Sequence, residues 1–355
     1  MSNSTPIDYK SAGVDIEAGN EAVRRMKQHV TRTHTPAVLT NLGSFGTLFS
    51  LSAAKDMRDP VMVQSTDGVG TKTKVTVMAA EASTDPGHYY ELLGHDLVAA
   101  VAGDIAVMGA RPLTFLDYLG VHKVDPAIIE RLVKGMSDAC VLAGISLVGG
   151  ETAEMPAVYS AGELDVVGFV TGIVERDALL TGANIVAGDI IYGVTSTGLH
   201  TNGWSLARKL FFELSAHHIF DAIAELDNKT LADILLEPHA NYTAPIRRAL
   251  DAHIPIRGMA HITGGGLVEN VPRILPEGFG ATIQLGSWPA QPIFTLMQRL
   301  GSIDTLEMHR AFNMGIGLAI IAPAGHLAAL SEAMQPFTVT EIGRVESGIH
   351  GVVLA

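Results

Sequence analysis

Ser65-Thr66-Asp67-Gly68-Val69-Gly70-Thr71-Lys72 places one carboxylate, two glycines, two threonines and a lysine within eight positions. Glycines let backbone N–H groups come close to an anion. Lys72 offers a point charge, and Asp67 is the residue type that holds a divalent cation bridging phosphates. The spacing is not that of a P-loop, because a single residue separates Gly68 from Gly70 and Thr71 precedes Lys72. Taken alone, the stretch is equally a strand-to-loop turn with a solvated lysine. Two further acidic positions add weight to the first reading. Asp104 interrupts the apolar run Leu97–Ala110, where a carboxylate costs on the order of several kcal/mol unless it is paired or metal-bound. A buried ion pair with an arginine is the alternative. Glu151 follows the apolar run Ile145–Val148 within Gly149-Gly150-Glu151-Thr152-Ala153-Glu154-Met155-Pro156. Asp67, Asp104 and Glu151 thus fall on three separate elements. Hard oxygen ligands of this kind suit Mg²⁺, which binds through a few carboxylates plus substrate phosphates. Glu154 reads equally as a solvated side chain.

Glycine-punctuated loops supply candidate phosphate sites. Leu42-Gly43-Ser44-Phe45-Gly46-Thr47 is either a loop over a phosphate or a tight strand connection. Thr195-Ser196-Thr197-Gly198-Leu199-His200-Thr201-Asn202-Gly203 precedes a helix expected over 204–212. His261-Ile262-Thr263-Gly264-Gly265-Gly266 precedes another, expected over 267–275. Such helix openings present free N–H groups and the positive end of the helix dipole. Each loop also carries a histidine, His200 or His261; both loops are otherwise readable as ordinary caps.

The elements that position these residues alternate between strand and helix. Strands are expected at 61–63, 113–119, 145–148 and 165–174, and helices from about Asp15 or Gly19 to Val30, from Gly94 to Pro112, and at 126–142. The segment 85–90 reads as a loop. Asp96 and Asp104, eight residues apart, lie about 80° apart around their helix and lean toward one site. The fold class is α/β, with two domains, 1–174 and 175–355. The net charge of −13 argues against general nucleic-acid or anionic-membrane binding. Cys140 is the only cysteine, which excludes an intrachain disulfide and reads as a buried small hydrophobe in a reducing compartment. The polar N-terminus and the lack of any long uncharged apolar run lead to an expected soluble, cytoplasmic protein.

The ordered set of motifs, beginning with Tyr9-Lys10-Ser11-Ala12-Gly13-Val14-Asp15-Ile16 and ending with Phe312-Asn313-Met314-Gly315-Ile316-Gly317, resembles the phosphoribosylformylglycinamidine cyclo-ligase family, also called aminoimidazole ribonucleotide synthetases, over nearly the whole chain. The resemblance implies closure of formylglycinamidine ribonucleotide to 5-aminoimidazole ribonucleotide with ATP and Mg²⁺. It implies two α/β domains, a mixed N-terminal sheet that forms a barrel across a homodimer, and a C-terminal sheet covered by helices. By the same resemblance Asp67, Asp104 and Glu151 are the metal set. The ATP site comprises Gly43, Ser44, Phe45, Gly46, Asp67, Gly68, Gly70, Thr71, Lys72, Asp96, Asp104 and Glu151. Lys27, Lys72, His200 and His261 are the catalytic candidates. Asn202, Gly203, Thr263, Gly264, Gly265 and Gly266 face the ribonucleotide.

One position departs from the pattern: Gly103 stands where the family usually has Asn, directly before the helix aspartate. The alternatives are another ATP-using enzyme of the same superfamily, such as a thiamine-phosphate kinase or a carbamoyl-dehydrating maturation protein, and a non-catalytic nucleotide-binding paralogue.

Overall fold

The computed structural model describes Tyr9, Ser11 and residues 13–355. Lys10 and Ala12 of the first motif lie outside the described residues. Helix α1 (Ile16–Thr31) starts at Asp15, whose carboxylate accepts the N–H groups of Glu17 and Ala18. Strand β1 (Pro60–Gly68) leads into α2 (Lys72–Glu81) and the long α3 (Pro86–Ala106). The segment 85–90 is therefore mostly helix, not loop: Pro86 presets the first turn, and the His88 N–H already bonds the Asp85 carbonyl. Strand β2 (Arg111–Val121), α4 (Pro126–Ala143), β3 (Ser146–Glu154) and β4 (Leu164–Glu175) complete the first half.

These four strands form one mixed sheet in the order β1-β4-β2-β3; only the β2–β3 pair is parallel. Val63, Phe115, Leu119, Val166 and Val170 point to a core shared with α1, α3 and α4. The opposite face leaves Met62, Leu116 and Phe169 exposed. Leu116 pairs with Phe169, and Phe169 with Thr66, so this face is continuous across three strands.

The second half opens with β5 (Ile190–Thr195) and then α5 (Trp204–Arg208), which continues as a π-helical turn to Leu214. A small hairpin, β6 (Ala222–Ile223) with β7 (Lys229–Thr230), precedes α6 (Leu231–Leu235) and α7 (Thr243–Asp251). Next come β8 (Gly258–His261), α8 (Gly266–Asn270), β9 (Phe279–Ile283), α9 (Pro292–Gly301) and α10 (Thr305–Ala311). The chain closes with β10 (Ile316–Ala322), α11 (Leu327–Ala333), β11 (Val339–Ser347) and β12 (Gly351–Leu354). The six long strands form a sheet in the order β12-β9-β11-β5-β10-β8, in which every residue of β10 is buried. Helices α7 and α11 cover one face and α8 the other.

Helix α2 joins the two halves. Its Val75 and Ala79 pack with Trp204, Phe211, Leu231, Phe294 and Phe312 of the second half. The Asp67–Lys72 segment is thereby fixed against the C-terminal loops. Among the described residues, no helix is long and apolar enough to cross a membrane.

Candidate active site

Helix α3 lies along the seam between the two halves, and its carboxylates do not meet at one point. Asp96 Oδ2 sits 2.7 Å from Lys72 Nζ, with side chains 0% and 1% exposed. Asp96 Oδ1 accepts the His239 backbone N–H at 2.7 Å. Lys72 also donates to the Glu237 carbonyl at 3.2 Å and stands 5.4 Å from the Trp204 ring centre. Eight residues on, Asp104 Oδ1 is 2.9 Å from His261 Nδ1, and Asp104 Oδ2 accepts the Ser65 hydroxyl at 3.0 Å. Asp104 is thus hydrogen-bonded to a histidine and a serine, and no arginine pairs with it among the described residues.

His239 connects the two carboxylates. Its Nε2 lies 3.1 Å from His261 Nε2, its Nδ1 lies 3.3 Å from Thr201 Oγ1, and its ring stacks on His200 at 3.9 Å and 17°. A carboxylate only accepts, so with neutral rings His261 carries its proton on Nδ1. His261 Nε2 then accepts from His239 Nε2–H, and His239 Nδ1 accepts the Thr201 hydroxyl. Burial, followed by the neighbouring charges, pushes both His200 and His239 well below the usual imidazole range and keeps them neutral. His200 Nε2 accepts the N–H groups of Thr197 and Ala240, which fixes its tautomer as well.

The loops beside this cluster are held by two asparagines. Asn313 accepts from Ser196 Oγ and Gly315 N–H and donates to the Gly198 carbonyl. Asn270 Nδ2 donates to the carbonyls of Thr263, Gly264 and Gly266. Gly203 and Gly265 open α5 and α8 in the left-handed region, at φ +79° and +94°. A Cβ on Gly264 would stand 3.3 Å from Asn202 Oδ1, so the loops that precede α5 and α8 meet. Thr71 Oγ1 lies 3.4 Å from Ser205 Oγ, which brings the Gly68–Gly70 turn to the start of α5.

A separate cleft of about 920 Å³ lies over the N-terminal sheet and includes Gly43–Gly46, Asp117 and Glu151 in its lining. Phe45 is fully exposed at its mouth. Asp117 is buried, and desolvation pushes its carboxyl up to about 7. Glu154 is not free in solvent: its two oxygens accept the N–H groups of Val124 and Asp15 at 2.9 and 2.5 Å. Lys27 is exposed on α1.

The three expected metal carboxylates are not gathered in one place. Asp67 and Glu151 sit on opposite edge strands, separated by three strand spacings or about 14 Å. Among the described residues, no group of three or more His, Cys, Asp or Glu side chains is placed to hold a metal ion. Asp67 and Asp104 do lie on adjacent elements, since Ser65 bonds Asp104 and Asp67 is two residues along the same strand face. His239, Asp117, Asn270 and Asn313 were not among the expected site residues.

A family model described as AIR synthase related protein, N-terminal domain, matches residues 52–174, and its C-terminal counterpart matches 186–354. A phosphoribosylformylglycinamidine cyclo-ligase of Brevibacillus brevis is 44% identical over 347 residues, covering 97% of each chain. That of Geobacillus kaustophilus is 48% identical over 345 residues, covering 96% of each. The chain belongs to the phosphoribosylformylglycinamidine cyclo-ligase family. Among solved structures, a thiamine-monophosphate kinase from Stenotrophomonas maltophilia superposes with a TM-score of 0.67 at 20% identity, covering 94% of this chain and 95% of its own. The hydrogenase maturation protein HypE of E. coli gives 0.65 at 17% identity, covering 94% and 92%. These two likenesses establish the fold that this cyclo-ligase family member shares with them. Lys27 and Gly43–Gly46 precede the N-terminal family model, but the relatives' near full-length matches leave room for them in the same frame.

Proposed function

We propose that this chain closes formylglycinamidine ribonucleotide to 5-aminoimidazole ribonucleotide at the expense of ATP, the cyclo-ligase step of purine biosynthesis. The observation that carries this reading is identity of 44–48% to curated cyclo-ligases over nearly the full length. The chemistry needs activation, because an amide oxygen is a poor leaving group. Phosphoryl transfer from ATP to the formamide oxygen makes it a good one. The amidine-side nitrogen then attacks the activated carbon, the C–O bond breaks, and phosphate, ADP and one proton are released. The protein's part is positioning and charge stabilisation.

Solvent access divides the residues of the site into two groups. Lys72, His200, His239 and His261 are buried and act as positioning residues: they hold the α3 carboxylates and the Thr195–Asn202 loop in register. Both ring nitrogens of His261 are already engaged, so it orients Asp104 in preference to meeting the substrate. Asp104, with its side chain 32% exposed, and the exposed Asp67 are the groups available to the reactants. As a pair they fit Mg²⁺ shared with ATP phosphates, since that ion uses one or two carboxylates and otherwise takes phosphate and water oxygens. When bound there it would offset phosphate charge. Glu151 does not join that pair within one chain; with Gly43–Gly46 it suits the ATP side of the neighbouring cleft. Asn202 and the Thr263–Gly266 loop, which meet, suit the ribonucleotide phosphate. The exposed Met62, Leu116 and Phe169 face supports a homodimer closed over the N-terminal sheet. The lone buried thiol of Cys140 is in keeping with a cytoplasmic location.

The test is turnover with MgATP, with and without formylglycinamidine ribonucleotide. ADP and aminoimidazole product in equal amounts, both dependent on the ribonucleotide and lost in Asp104→Ala, is the expected result. ADP formation that ignores the ribonucleotide overturns the reading.

A further inference from the structure

Gly103 stands directly before Asp104 on α3, and its missing side chain has a definite neighbour. A Cβ there would lie 2.8 Å from His261 Cε1, 3.1 Å from Nδ1 and 3.2 Å from Nε2. The His261 imidazole therefore occupies the volume that any side chain at 103 would claim. From that position its Nδ1 reaches Asp104 at 2.9 Å. Its other nitrogen meets His239 Nε2 at 3.1 Å. His239 is itself fixed independently, by its backbone N–H on Asp96 Oδ1 and by its stack on His200. His239 and His261 are both buried, so these contacts hold the rings without competition from water.

We propose that Gly103 and His239 are a matched pair of positioning residues for the cyclo-ligase reaction. Gly103 leaves room for the His261 imidazole beside α3, and His239 holds its Nε2 so that Nδ1 stays on Asp104. The consequence for rate rests on the functional reading above; the seating of His261 does not. A larger side chain at 103 cannot share this space with the ring as it is placed here. A purely structural role for Gly103 leads to a different expectation, because alanine favours a helix interior over glycine.

The experiment compares the intact protein with Gly103→Ala, Gly103→Asn, His239→Phe, His239→Gln and His261→Ala. ¹⁵N–¹H correlation of the imidazoles reads the His261 Nδ1–H bonded to Asp104, assigned by its loss in His261→Ala. Steady-state kinetics read kcat and KM for ATP and for the ribonucleotide. Phenylalanine keeps the stack on His200 but removes the hydrogen bond, whereas glutamine retains a donor. The expected result is displacement or loss of the His261 signal in both Gly103 variants and in His239→Phe, with partial recovery in His239→Gln. Misplacement of this order is expected to lower kcat by about 10- to 100-fold, with KM for ATP little changed. In a His261→Ala background the Gly103→Ala effect should largely vanish. An unchanged His261 signal in Gly103→Asn and His239→Phe overturns the proposal whatever the kinetics. Displaced signals in the variants, beside a wild type that turns over no ribonucleotide, uphold the seating and refute the functional reading instead.

Discussion

Lys72 and Asp96 are each almost wholly out of solvent, so neither charge is tolerable without the other. Removing one partner of such a buried pair costs about 3–5 kcal/mol, much of it the penalty for the charge left behind. Lys72→Met is expected to lose that much stability in urea denaturation. Lys72→Met combined with Asp96→Asn, which keeps an acceptor for the His239 N–H, should recover most of it. Equal losses in the single and double variants would show that the charge pair is not what holds this seam.

Asp117 has a different consequence. Its carboxyl is raised to about 7 in the fold by desolvation, from an ordinary 3.8. Between these values the folded chain binds a proton that the unfolded chain does not, so this residue's contribution is full below about pH 4 and fades as pH rises through 7. The slope is about 1.4 kcal/mol per pH unit. His95, His200 and His239 act in the opposite sense, because burial lowers them and their contribution is lost as pH falls below the unfolded imidazole value. Unfolding of Asp117→Asn beside the wild type, at pH 5, 6, 7 and 8, isolates the aspartate. The variant should gain on the wild type steadily up to about pH 7 and keep a fixed offset above that pH; the same difference at all four pH values would contradict the assignment.

The sequence carries part of this. A carboxylate inside an apolar run singles out Asp104, and the same argument applied to Leu113–Leu119 would have singled out Asp117. Nothing local marks His239, whose importance comes from two neighbours more than 20 residues away in either direction along the chain.

At the scale of elements, α3 and α4 cross at two glycines. A Cβ on Gly94 would meet the Leu132 carbonyl at 2.1 Å, and one on Gly135 would meet the Glu91 carbonyl at 1.9 Å. Backbone cannot yield as a side-chain tip can, so Gly135→Ala is expected to destabilise the fold by about 1–3 kcal/mol or more through overpacking. Thermal unfolding would check this, and a Tm at or above that of the wild type would contradict it. Helical periodicity placed the end of α1 and both ends of α4 to within a residue or two, because that signal is local; in the fold Asp15 and Asp125 each bond two N–H groups of the first turn. Strand ends were less legible. Strands β1 and β3 run on through Gly68 and Gly149-Gly150, so Asp67 and Glu151 lie within strands and not in the loops after them. The β4 and β2 ladders extend them, and that pairing is invisible in the strand's own residues. The expected convergence of Asp67, Asp104 and Glu151 fails for the same reason, since strand order decides which edges are neighbours.

For the whole molecule, the unpartnered face of the N-terminal sheet is the feature with the widest reach. Met62, Leu116 and Phe169 are 59%, 41% and 43% exposed on one continuous surface. Phe169→Asp is expected to convert a dimer into monomers in analytical ultracentrifugation while leaving each fold intact. A wild type that sediments as a monomer at all concentrations would remove the dimer from the account. The proposed division of labour across the seam, with ATP on the N-terminal side and the ribonucleotide on the C-terminal loops, depends on both halves acting in one reaction.

The most direct test of that reaction follows the formamide oxygen. Formylglycinamidine ribonucleotide labelled there with ¹⁸O is incubated with the protein and MgATP, and the inorganic phosphate is analysed by mass spectrometry. Transfer of one labelled oxygen to phosphate for each aminoimidazole ribonucleotide formed is the predicted result. Product formed with unlabelled phosphate would contradict activation through a phosphorylated formamide, and with it the central claim.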